Sequence, residues 1–239
     1  MKMKLIASAV ALSAWAGTAS AVFVNESGPN PLSARLAGYD LNINANADQL
    51  PDGNDTYWEV LGDGATTTII LELAGKSYAN TFGIYDRTDY TNRVELFSGS
   101  DSVSDSITLQ ITGGTVNVGG SDVGTFLTNS FGFYLARPAD NDWFFSDSAL
   151  NGGGKDQMAA YQGNGSTGDD IPDADGVFGP SDYVLAWEDL PYNAAFYDKS
   201  DVNDFVVYIK DITPVPEPGT LALLGLGLAG LGAARRRRS

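Results

Sequence analysis

The 239 residues include no cysteine and no histidine. The first absence excludes disulfides, and the two together exclude Ser-His-Asp and Cys-His nucleophilic systems and the usual ligand sets of zinc. Positive charge is scarce: 14 Lys+Arg stand against 30 Asp+Glu, for a formal net charge of -16. Six of those cations, Lys2, Lys4 and Arg235, Arg236, Arg237 and Arg238, lie in the end segments, so residues 22–213 hold 29 acids and 8 bases, a net charge of -21. Such a surface repels phosphate backbones and anionic headgroups, which argues against nucleic acid and peripheral lipid docking and for cations as partners. What is present is apolar material, 43% hydrophobic and 11% aromatic residues. That is ample for a packed core, and the length suits one folded body with terminal tags.

Residues 1–21 carry Lys2 and Lys4, then an apolar run to Ala16, then Ala19-Ser20-Ala21. This is the layout of a secretory signal, with small residues at Ala19 and Ala21 for signal peptidase, and it predicts cleavage after Ala21. An exported chain without disulfides fits a bacterial origin, where large cores rather than cross-links hold secreted domains together. At the other end, Val215-Pro216-Glu217-Pro218-Gly219-Thr220 precedes an apolar stretch over 221–234 and the four arginines. Fourteen residues of helix at about 1.5 Å each fall short of the roughly 30 Å hydrocarbon layer, so the segment suits a transient rather than a permanent transmembrane helix. The arginines hold that end on the cytoplasmic side, while Pro216 and Pro218 keep the preceding segment extended.

This tripartite tail, residues 214–239, resembles the PEP-CTERM sorting signal of Gram-negative bacteria that make exopolysaccharide. The resemblance implies an exosortase, a membrane cysteine transpeptidase, that cuts near Pro216-Glu217-Pro218 and transfers the body onward. It also implies a final location in the cell envelope, on the surface or in the extracellular matrix.

Between the tags, in residues 22–213, short alternating runs rich in β-branched and aromatic residues are separated by Gly, Asn, Asp and Ser clusters, and no segment sustains a helical period. The pattern predicts an all-β fold, a single antiparallel β-sandwich of jelly-roll-like form. Strands are expected at 57–61, 66–73, 80–85, 93–97, 106–111, 115–118, 130–136, 142–146, 183–187 and 204–212, with a hairpin at Gly113-Gly114. Residues 25–56 read as an irregular lead-in, and glycine-rich 148–181 as a long loop or a site.

Crowded carboxylates ask for a counter-ion, and calcium, a hard cation taking about 6–8 oxygens, is the expected cofactor. One cluster is Asp169, Asp170, Asp173 and Asp175, four acids in seven positions, which does not fit an EF-hand register. A second is Glu188-Asp189 with Asp198, Asp201, Asn203 and Asp204, acids placed where strands end; the alternative there is local capping of backbone amides. A third, Asp48 with Asp52-Gly53-Asn54-Asp55, reads as turn chemistry. The Trp187-Glu188-Asp189 step and the acidic segment entering the final strand make residues 80–212 resemble the bacterial domain of unknown function 4114. That resemblance implies a β fold and matches Glu188, Asp189, Asp201 and Asp204, while Lys199 and Val202 depart from its pattern.

The function these features predict is a non-enzymatic surface or biofilm-matrix protein, calcium-stabilised, processed by signal peptidase and exosortase. The alternative is a carbohydrate-binding module for exopolysaccharide or envelope glycan, using aromatics such as Trp58, Trp143, Trp187, Tyr192 and Tyr197, for each of which core packing is the competing role. A glycoside hydrolase, needing only two carboxylates, ranks third.

Overall fold

Alternation becomes geometry most plainly in Ser106–Thr112, where Leu109 and Ile111 turn inward and their neighbours face solvent. The computed structural model describes residues 31–72, 80–167, 171, 176–191 and 202–216. A short helix, α1 (Leu32–Ala37), precedes the strands β1 (Trp58–Val60), β2 (Ala65–Glu72), β3 (Thr81–Asp86), β4 (Asp89–Phe97), β5 (Ser106–Thr112), β6 (Thr115–Val118) and β7 (Ser121–Thr125). There follow β8 (Phe131–Arg137), β9 (Asp142–Phe145), β10 (Met158–Gln162), β11 (Tyr183–Trp187), β12 (Phe205–Lys210) and β13 (Ile212–Pro214).

Two sheets result, in the spatial orders β13-β1-β8-β3-β4, with β9 also on β8, and β10-β11-β12-β2-β5-β6-β7. Neighbouring strands run antiparallel throughout the described residues. The body is the all-β sandwich that the periodicity predicts. Its core lies between the sheets: Phe82, Phe131, Phe133 and Leu135 from one meet Leu185, Trp187, Phe205 and Val207 from the other. Trp58 is sealed there, its ring 4.8 Å from that of Tyr183 and its indole N–H donating to the Asp55 carbonyl at 2.9 Å. Gly113 and Gly114 take φ of 57° and 84° and join β5 to β6 in the expected hairpin.

The outer faces differ. Across the seven-stranded sheet, Leu32 and Leu36 of α1 with Leu41, Ile43 and Ala45 cover Ala159, Tyr161, Val184, Val206 and Tyr208. Strands β11 and β12 are therefore buried on both sides, which is why Tyr183–Trp187 and residues 205–209 are apolar without interruption. On the six-stranded sheet, Tyr85, Tyr134 and Phe145 form a smaller outer aromatic layer, with Tyr57 and Trp143 packed against it.

Three expectations need correction. Residues 204–212 are not one strand: Asp211 adopts φ of 60°, and there the chain leaves β12 in one sheet for β13 in the other. The 148–181 stretch contains β10, an edge strand whose Met-Ala-Ala-Tyr core lacks the β-branched residues that mark strands. The 25–56 lead-in contains α1.

Candidate functional site

The register of two buried strands builds the acidic cluster. Because Trp187 pairs with Phe205, the residues just beyond them, Glu188 and Asp204, emerge side by side at one end of the sandwich. Glu188, Asp189 and Asp204 each offer a carboxylate oxygen within 4.8 Å of the others. Two of the three are deeply placed, Glu188 at 2% exposure and Asp189 at 6%. Backbone donors hold the arrangement: the Asp189 amide donates to Asp204 Oδ2 at 3.0 Å, and the Leu190 amide to Glu188 Oε1 at 3.1 Å. Gln157, just before β10, ties the turn down by donating from Nε2 to the Leu190 carbonyl at 2.7 Å.

The opposite sheet contributes two groups with no signature in sequence spacing. Asn80, immediately before β3 and 2% exposed, donates from Nδ2 to Asp189 Oδ2 at 3.1 Å. Its Oδ1 is buried and accepts no hydrogen bond among the described residues. Arg137, the last residue of β8, donates from Nη1 to the Asp189 carbonyl at 2.7 Å, with Asp189 Oδ1 3.8 Å away. Its other terminal nitrogen engages Asp140, with Asp142 at 3.9 Å. Burial alone would lower the Arg137 pKa. The Asp140 hydrogen bond and the charges of Asp189, Asp140 and Asp142 carry it above its ordinary value instead. One guanidinium thus serves three carboxylates, and Glu188 and Asp204 add further negative charge at the same end.

Of the expected calcium ligands, Glu188, Asp189 and Asp204 are brought together, and Asp204 accepts the Asp189 amide from the turn after β11. Asp201, Asp198, Asp170, Asp173 and Asp175, with Asp169, lie outside the described residues. Around the third cluster, Asp48 accepts from the Asn44 amide at 2.7 Å, the turn chemistry expected of it. Among the aromatics proposed for sugar stacking, Trp58 and Trp187 are core residues at 0% exposure and are removed from that role. Tyr192 and Tyr197 lie outside the described residues. Trp143 remains on the outer aromatic layer.

The C-terminal tag begins where the fold ends. β13 pairs with β1, placing Trp58 opposite Pro214, and the Val215 amide donates to the Tyr57 carbonyl at 2.8 Å. Pro216 is exposed. Glu217, Pro218, Gly219 and Arg235, Arg236, Arg237 and Arg238 lie outside the described residues, as do Ala19 and Ala21. No helix among the described residues is long and apolar enough to cross a membrane.

Residues 214–238 match the PEP-CTERM protein-sorting motif. No curated protein and no solved structure matches the chain. The motif supports an exported protein that is a substrate of exosortase and is sorted to the cell surface.

Proposed function

We propose that this protein is a non-enzymatic component of the cell surface or of its extracellular matrix, released from its tail by exosortase and stiffened by calcium at the Glu188–Asp189–Asp204 end. The sorting motif at 214–238, joined with no intervening linker to the edge strand β13, carries the first part of this reading. A short junction leaves the folded body seated at its point of processing, as suits a structural component more than a tethered enzyme with reach.

The chemistry of the donor set fits calcium. Three carboxylates and the Asn80 carboxamide oxygen are hard oxygen donors, and backbone carbonyls and water complete the about 6–8 oxygens that the ion takes. Arg137 partly neutralises Asp189 and leaves Glu188 and Asp204 as the more available ligands. Bound there, the ion would tie the turn after β11 to the start of β12.

Cells lacking the protein are expected to show altered attachment or matrix cohesion, measured by surface adhesion and by the polymer retained on washing. Wild-type values in both assays would contradict a structural surface role.

A further inference from the structure

We propose that the groove between the start of β4 and the β8–β9 hairpin is a binding site for an uncharged saccharide. The groove has a volume of about 520 Å³ and is walled by Tyr90, Arg93, Asp142, Trp143, Phe145 and Pro191. It opens beside the outer aromatic layer of the six-stranded sheet, with Trp143 and Phe145 of that layer in its wall. This ligand class goes beyond surface sorting and calcium, and depends on neither.

Three features select the occupant. The first is aromatic surface in contact with solvent: Tyr90 is 47% exposed and meets Phe145 edge-on at 5.6 Å, and Trp143 is half-buried beside them. Aromatic faces offer apolar contact to the C–H side of a pyranose ring.

The second is a positioned hydrogen-bond fork. Arg93 lies 3.9 Å over the Trp143 ring and 5.3 Å from the centre of Phe145, and its Nε donates to the Tyr90 carbonyl at 2.6 Å. Its terminal nitrogens make no hydrogen bond and no ion pair among the described residues. Five donors in a planar fork, one already used, suit the paired hydroxyls of a sugar. Burial pushes the Arg93 pKa down, opposed in part by the charges of Tyr134, Tyr90 and Asp89, so this guanidinium has given up hydration that a ligand hydroxyl would restore. Asp142 supplies an acceptor on the same groove, held near Arg137 at 3.9 Å.

The third is charge. A net charge of -21 over residues 22–213 opposes the approach of an anionic polymer, and the groove lining holds an acid, Asp142, as well as the Arg93 guanidinium. Mixed donors and acceptors beside exposed rings match a ligand that carries hydroxyls and no charge.

The test is titration of the full chain with cello-, malto-, xylo- and manno-oligosaccharides, with oligogalacturonate as the charged counterpart, followed by tryptophan fluorescence. At least one uncharged oligosaccharide is expected to bind and to change the emission, and Trp143→Phe is expected to remove that change. Tyr90→Ala and Arg93→Gln are each expected to weaken binding about tenfold or more, and Tyr90→Ala is expected to keep thermal melting close to that of the parent because Tyr90 is 47% exposed. Failure of every uncharged oligosaccharide to bind overturns the proposal. So does binding that survives both substitutions, and preferential binding of oligogalacturonate overturns the uncharged assignment.

Discussion

Asp204 shows how one side chain changes meaning between sequence and fold. In the chain it precedes a strand and invites reading as a local cap, whereas in the structure its carboxylate accepts the Asp189 amide from a neighbouring turn. Its other neighbour in space, Glu188, grouped with it already in the sequence, is set beside it by the register Trp187↔Phe205. Both acids were visible as candidates because acidic residues at strand ends stand out against apolar runs. Asn80 and Arg137 were not, since an amide and a guanidinium contributed by the opposite sheet leave no spacing to read. If calcium binds here, a melt with the ion should exceed one with a chelator by about 2.7 kcal/mol of stability at a hundredfold excess over Kd. Asp204→Asn and Glu188→Gln should each abolish most of that increment, and an increment kept in both variants would place the ion elsewhere.

At the scale of elements, the strands with clean alternation or continuous apolar character were readable, and Tyr183–Trp187 and Thr115–Val118 stand where expected. β7, β10 and β13 were not separable. β7 reads Ser-Asp-Val-Gly-Thr and carries little apolar content, β10 is alanine-rich, and β13 looks continuous with β12 until the backbone reverses at Asp211. Helix α1 is six residues long, too short to show a period, and forms because Leu32 and Leu36 cover the outer face of the seven-stranded sheet. β13 matters beyond its length, because it links the sorting motif to the sandwich. Ile212 is at 0% exposure in the inter-sheet core, and Ile212→Ala should cost about 2–5 kcal/mol. Denaturant titration measures this directly, and an unchanged midpoint would mean that β13 contributes nothing to the folded body.

For the whole molecule, a large negative charge surrounds an aromatic interior, and high pH adds charge to that interior. Tyr85 and Tyr134 are at 0% and 3% exposure, and burial, the dominant cause for both, raises their pKa values well above the ordinary one. The unfolded chain therefore loses these protons first. The stability they contribute is fully present below pH of about 10 and is lost as pH rises toward the folded-state values, with a slope of up to about 1.4 kcal/mol per pH unit for each group. Urea midpoints should hold steady below that range and fall above it, and a midpoint unchanged between pH 9 and 11 would contradict the buried placement of these rings.

The same scale holds the central claim, that the chain is exported and then cut free of its tail. The intact mass of the protein recovered from the surface of its own cells tests it most directly. The account predicts a chain that begins at Val22, ends near Pro216-Glu217-Pro218 and lacks Arg235, Arg236, Arg237 and Arg238, allowing for whatever group the transfer adds. A surface-derived protein that retains those arginines would contradict it.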